Sequence, residues 1–255
     1  MSKLVLLGTS AGKASDHRAS SSYLLDLGDH GILMDVGDGA TRHFLANGYA
    51  PEWVTDIIIT HTHADHVCGL PYFIQQRYLS GTDTPLTIWC PQESLDRLRG
   101  SMAFGYLFPE RMPYDTHYHD IKTTEPWSVH GIEFRARLTT HLKEAARAGQ
   151  ERGYGNLGQC YAISAKVGKT AFLYSADVGS IDDVMGIPEP IDWLLIESTH
   201  IALDRLWPWA DERGIKKIII THIADDFDTS GVAQAEKYTS AEVVLAEDNM
   251  SFDFP

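Results

Sequence analysis

Residues 57–66 read IIITHTHADH, and residues 218–226 read IIITHIADD. The first stretch carries the pattern HxHxDH, so His61, His63, Asp65 and His66 set four ligand-type side chains within six positions. Imidazole nitrogen and carboxylate oxygen suit zinc best, and manganese or iron accept the same donors. His61 and His63 are two residues apart, so an extended backbone turns both to one side, within reach of one ion. Asp65 and His66 fall where the chain turns toward a helix and can face a neighbouring ion. The competing reading, a polar strand end with solvated histidines, is disfavoured by the density of donors. HxHxDH alone cannot complete two sites, so further ligands must arrive from other strand ends. Three residues directly follow apolar runs: His141 after LTT, Asp177 after TAFLYSA and His222 after KIIIT. Each taken singly is more often a core or edge residue than a ligand. Together with HxHxDH, their coincidence favours a shared site.

Several other residues invite a chemical reading and receive a plainer one. Asp35 and Asp38 in DVGDG read as turn residues marked by Gly37 and Gly39, where a carboxylate can orient a metal-bound imidazole. His117 and His119 in YDTHYHD have no strand leading into them and read as a surface loop. His17, His30, His43 and His130 lack ligand neighbours and read as solvated. Tyr106, Phe108 and Tyr114 fit a pocket wall or, more commonly, core packing. Cys68, Cys90 and Cys160 are odd in number and lack CxxC spacing, so all three read as buried free thiols in a reducing compartment.

The elements that must position these residues alternate between strand and helix. Strands are expected at 3–8, 22–27, 31–36, 55–60, 86–90, 132–138, 159–166, 170–175, 192–197 and 216–221. The run Ile57–Ile59 is apolar without alternation, as for a strand covered on both faces. Helices are expected at 39–47, from about His66 to Tyr78, from Pro91 to about Leu98, and at 203–213 with a kink or restart at Pro208. The aromatic, proline-bearing block 106–125 yields no assignment. Mixed strands and helices predict stacked layers of both. The IIITH echo hints at two related halves, each a sheet with its own helices.

The chain has 255 residues, enough for a sizeable core, and no apolar run approaches the ~18 residues of a membrane span. Its start, MSKLVLLGTS, lacks the features of a signal peptide, so the expected location is cytoplasmic. A net charge of −14 repels polyanions, and the only local cations of note, Lys143, Arg147 and Arg152, read as a solvated loop.

HxHxDH followed by a His, an Asp and a His in that order resembles the metallo-β-lactamase superfamily, over nearly the whole chain from LGTS to THIADD. That resemblance implies an α/β fold, a four-layer αββα sandwich formed as one domain over 1–255, with the metal site at one edge of the sheets. It implies two divalent metal ions, one held by His61, His63 and His141 and the other by Asp65, His66 and His222, with Asp177 bridging them. LGTSAGKASDHRASSSYLL, LMDVGDG and FLYSADVG are similar to the ribonuclease Z-like phosphodiesterases. Small bacterial phosphodiesterases acting on cyclic nucleotides or ribose cyclic phosphates resemble it in layout. Two departures stand out. Ribonuclease Z carries a long transfer-RNA-gripping arm between the third histidine and the bridging aspartate, and the segment from His141 to Asp177 is too short for it. Its His-Glu-Ala-Thr motif is matched by LLIESTH, where Ile196 replaces the histidine, Glu197 and Thr199 remain, and His200 follows.

The expected function is therefore a binuclear hydrolase of a small nucleotide-like or cyclic phosphodiester. Two ions about 3.5–4 Å apart can share one hydroxide, whose water has a pKa lowered toward ~7. Asp65 would orient that nucleophile, and His200 is the candidate proton donor, with a supporting or surface role weighed equally. The alternatives are a lactone or thioester hydrolase, an endoribonuclease-like RNA-binding protein, and an inactive metal-binding protein. The expected partners are a small-molecule substrate and, from the family likeness, a second copy in a homodimer. No membrane is expected, and acidity together with the short segment after His141 weighs against transfer RNA or other nucleic acid.

Overall fold

Apolar runs capped by turn residues become strands, and the amphipathic stretches between them become the helices that cover those strands. The computed structural model describes residues 2–255 and divides into two compact units. The first runs to Ile121 and takes back Glu247–Phe254, and the second is Lys122–Ala246 with Pro255.

The first unit opens with β1 (Lys3–Gly8), β2 (Ser22–Asp26) and β3 (Gly31–Met34), paired antiparallel. β4 (Val54–Ile58), β5 (Leu86–Cys90) and β6 (Thr116–Asp120) then add in parallel. Parallel neighbours need crossovers, supplied here by α1 (Ala40–Ala46), α2 (Ala64–Val67), α3 (Leu70–Leu79) and α4 (Leu95–Phe104). Phe44, Leu70, Phe73, Leu98 and Met102 from these helices pack with Leu33, Ile57, Ile59 and Ile88. Buried Arg77 ties α3 to the sheet by donating to the carbonyls of Pro51, Val54 and Thr84 at 2.5–2.6 Å.

The second unit repeats the plan. β7 (Trp127–Val129), β8 (Ile132–Leu138), β9 (Tyr161–Val167) and β10 (Thr170–Tyr174) pair antiparallel. β11 (Trp193–Glu197), β12 (Lys217–Thr221) and β13 (Glu242–Leu245) follow in parallel. Between β8 and β9 lies α5 (Lys143–Gln150), and α6 (Ile181–Met185), α7 (Leu203–Glu212) and α8 (Ser230–Ala233) accompany the parallel strands. Their core joins Val184, Leu206, Trp207 and Ala210 to Leu173, Leu194 and Ile218. The last strand, β14 (Ser251–Asp253), returns to pair with β1. Each unit thus holds a seven-stranded sheet, ordered β14-β1-β2-β3-β4-β5-β6 in one and β13-β12-β11-β10-β9-β8-β7 in the other.

Four details depart from the sequence reading. The two IIITH segments are not topological equivalents: β4 adjoins the antiparallel run, whereas β12 lies one strand farther out. The helix expected from His66 breaks into α2 and α3 around Cys68 and Gly69. Pro71 has no N–H to give to the Val67 carbonyl, and the Gly69 N–H donates instead to the Val36 carbonyl at 2.9 Å; the approach there is close enough that a Cβ on Gly69 would lie 2.2 Å from the Gly37 carbonyl oxygen. α7 runs through Pro208 without restarting, because buried Leu206, Trp207, Trp209 and Ala210 hold it on the core across the missing donor. His117 and His119 stand on β6, an edge strand, and not in a loop; both point outward, and His119 stacks on Trp89 with ring centroids 4.7 Å apart.

Candidate metal centre

In the first unit, β4 ends at Ile58 and irregular backbone carries Ile59–His63 into α2. His61 is buried and His63 is exposed, yet their ring centroids are 4.9 Å apart. His66, on α2, brings its ring centroid to 4.1 Å from that of His61. Asp65 Oδ2 lies 3.4 Å from His66 Nε2. All four residues of HxHxDH therefore gather at one end of β4.

Asp35, which follows β3, is fully buried behind this group. It accepts from the Thr60 backbone N–H and the Thr60 hydroxyl at 2.8 Å each, and from His66 Nδ1 at 2.8 Å. The Thr60 hydroxyl also lies 3.2 Å from His61 Nδ1. A carboxylate only accepts, so the hydroxyl proton points to Asp35 and its lone pair receives the His61 Nδ1–H. One carboxylate thereby assigns two imidazole tautomers and leaves both Nε2 atoms as lone-pair donors. This is the orienting role expected of Asp35. Asp38 stays in the turn, where its carbonyl accepts from the Ser20 N–H.

In the second unit, Asp177 follows β10 and is nearly fully buried. Its Oδ2 lies 3.4 Å from His141 Nε2, and its Oδ1 lies 3.5 Å from His222 Nε2. The loops bearing His141 and Asp177 run close together: a Cβ on Gly179 would sit 2.2 Å from Thr140 Oγ1. Glu197, at the end of β11, plays the part that Asp35 plays in the first unit. Its Oε2 accepts from the Thr199 hydroxyl at 2.7 Å, and that hydroxyl lies 3.3 Å from His222 Nδ1. The carboxylate, threonine, histidine relay again leaves Nε2 as the donor atom.

Glu197 also accepts the Thr199 N–H at 2.5 Å and the His200 N–H at 2.9 Å, while its Oε1 meets His200 Nδ1 at 2.8 Å. Burial is the largest single influence on the Glu197 carboxyl and pushes it up, but the hydrogen bond from His200 together with the charges of His200 and His222 holds the carboxyl below its ordinary range. The same hydrogen bond raises the His200 pKa against the opposing effect of burial. His200 is part-exposed, and its ring centroid is 5.0 Å from that of His141.

The backbone is strained where it presents these groups. Asp35, Ala176 and His222 adopt φ of 57°, 48° and 52°, in the left-handed region that side chains bearing a Cβ avoid. No sequence pattern signals this. Of the relay threonines, Thr199 was named in the sequence as a retained position of the LLIESTH motif, whereas Thr60 was not singled out, although the pair Thr60-His61 was a visible cue.

The histidines and aspartates fall into two groups that could each hold a divalent ion, His61, His63, His141 and Asp177 in one and Asp65, His66, Asp177 and His222 in the other. The donor set fits: neutral imidazole nitrogens with assigned tautomers, and carboxylates.

A family model described as Anti-Pycsar protein Apyc1 matches residues 2–228. The ribonuclease Z of Thermobifida fusca (strain YX) is 26% identical over 99% of this chain and 95% of its own length. The metallo-β-lactamase fold protein YhfI from Bacillus subtilis superposes with a TM-score of 0.78 at 20% identity, covering 98% of each chain. A diphosphatase from the PhnP family gives a TM-score of 0.71 at 18% identity, covering 100% of this chain and 98% of its own. These likenesses show the α/β metallo-β-lactamase fold.

Proposed function

Since the chain belongs to the anti-Pycsar protein Apyc1 family, in the ribonuclease Z-like branch of the metallo-β-lactamase superfamily, we propose that this hydrolase is a two-metal phosphodiesterase. Its substrate on this reading is a small nucleotide-like or cyclic phosphodiester. One ion is assigned to His61, His63, His141 and Asp177, and the other to Asp65, His66, Asp177 and His222. The observation that carries the reading is the Asp177 carboxylate, whose two oxygens face the Nε2 atoms of two different histidines. A carboxylate presented in that way is suited to serve two cations at once. When bound, a pair of zinc, manganese or iron ions supplies hydroxide near neutral pH and Lewis acidity toward a phosphoryl oxygen.

The chain's own residues do the rest. Asp35 and Glu197, acting through Thr60 and Thr199, hold imidazoles with Nε2 presented. Asp65 orients the nucleophile. His200, kept protonated to higher pH by Glu197, donates a proton to the leaving oxygen. On the same reading the protein is cytoplasmic, forms a homodimer, and takes a small molecule in preference to nucleic acid. Among the described residues no helix is long and apolar enough to cross a membrane.

The test is turnover of bis(p-nitrophenyl) phosphate beside a panel of lactones and thioesters, with metal counted by elemental analysis. Phosphodiester turnover with about two ions per chain is expected. Turnover of lactones or thioesters alone would transfer the site to carbonyl chemistry, and fewer ions after full loading would remove the two-metal assignment.

A further inference from the structure

Thr62 stands between His61 and His63, and Val67 and Cys68 follow His66 directly. These three residues line a cavity of about 280 Å³ within the first unit. Buried Leu98 and Met102 of α4 form its floor, and exposed Arg97 and Ser101 stand at its rim. The cavity wall and the HxHxDH cluster are therefore built from one continuous stretch of backbone. None of the candidate ligands lines the cavity itself; Thr62, Val67 and Cys68 set its wall one or two residues along the chain from His61, His63 and His66.

Its size and chemistry limit the occupant. About 280 Å³ lies just below the ~300–1,000 Å³ of small-molecule sites, so it holds one ring system and excludes a folded polynucleotide. The floor is apolar, which favours a flat, weakly hydrated group. Met102 offers a thioether, which makes favourable contacts with aromatic rings. Arg97 carries a planar guanidinium that stacks on such rings. The hydroxyls of Thr62 and Ser101 can hydrogen-bond to ring nitrogens and carbonyls. A plain acyl chain would gain nothing from the guanidinium or the hydroxyls.

We propose that this cavity is the specificity pocket that seats the nucleobase of the phosphodiester substrate. The inference rests on the phosphodiesterase reading above and adds where, and by which side chains, the non-reacting part of the substrate is recognised.

Cys68 makes the proposal testable without turnover, because its exposed thiol lies in the pocket wall. The metal-loaded protein is alkylated with iodoacetamide in the presence of AMP, UMP or inorganic phosphate, and modification of Cys68 is followed by peptide mass spectrometry. At least one nucleotide is expected to slow Cys68 labelling by about tenfold, the scale of a filled small apolar pocket, while phosphate leaves it unchanged. Ser101→Trp, at the exposed rim, should abolish that protection with metal content retained. Equal protection by phosphate, no protection by either nucleotide, or undiminished protection in a folded Ser101→Trp protein overturns the proposal. Should that variant fail to fold, the wild-type comparison decides. Failure to hydrolyse any phosphodiester, with nucleotide protection intact, counts against the activity and not against the pocket.

Discussion

Asp177 is the residue on which the two-ion assignment turns, because each of its oxygens faces a different histidine. Asp177→Ala is expected to lose metal and activity together, read by elemental analysis and phosphodiester turnover on the same sample. His200 differs, since it bonds to Glu197 and is part-exposed. His200→Ala should retain metal and lose the ~10²–10⁴-fold typical of a missing acid or base; full activity would remove it from the mechanism. A third expectation concerns protons outside the centre. Burial pushes the Cys90 thiol up to about 12 and the Tyr118 hydroxyl up to about 12. Both groups must stay protonated in the fold, whereas an unfolded thiol ionises near ~8.5 and an unfolded phenol near ~10. The unfolded chain therefore releases protons first as pH rises, so stability is full below that range and drains away between about pH 9 and 12. Melting temperature against pH should fall in that window, and Cys90→Ala should flatten part of the fall. Cys90 and Cys160 should also resist alkylation until the protein unfolds, while Cys68 reacts. The exposure of Cys68 corrects the expectation that all three thiols are buried; it caps the short helix α2 on its outer side.

At the level of elements, strand ends and tight turns govern where ligands arrive. β3, β4, β10, β11 and β12 each stop where a carboxylate or histidine follows within a few residues. The turn through Gly37 and Gly69 is packed so closely that a side chain at either position would overlap backbone atoms. Gly69→Ala should therefore shift the backbone that carries His66. A lowered melting temperature and weakened metal binding are expected together, with the cost in the ~1–3 kcal/mol range of overpacking. Wild-type metal affinity in a stable Gly69→Ala protein would show that the turn does not position the ligand. Strands with uninterrupted apolar runs were legible in the sequence to within one or two residues. β6 was not, because its alternation of His117, Tyr118 and His119 offers one half-buried ring and two polar ones. The short β7, β13 and β14 were likewise missed, since their few buried residues leave almost no periodic signal; the helix α5 was missed although its polar and apolar residues are segregated at helical spacing.

For the molecule as a whole, charge and the span after His141 shape the choice of partner. The net charge is −14, and between His141 and β9 the chain builds only α5 and a glycine-bearing loop. RNA binding, measured across a salt series, is expected to be absent or flat; a steep loss of affinity with salt would restore the endoribonuclease alternative. By itself the sequence determined the candidate ligand types, their order along the chain and the apolar strands that precede them, because metal chemistry and burial both select residue types that can be read one position at a time. Only the tertiary structure decided that Asp177 turns its two oxygens toward different histidines, that Thr60 and Thr199 pass hydrogen bonds from buried carboxylates to imidazoles, and that a ring-sized cavity opens beside HxHxDH. Those facts depend on side-chain direction, left-handed backbone at Asp35, Ala176 and His222, and packing between segments distant in the chain. Such properties arise from the simultaneous satisfaction of many contacts and leave no local pattern to read.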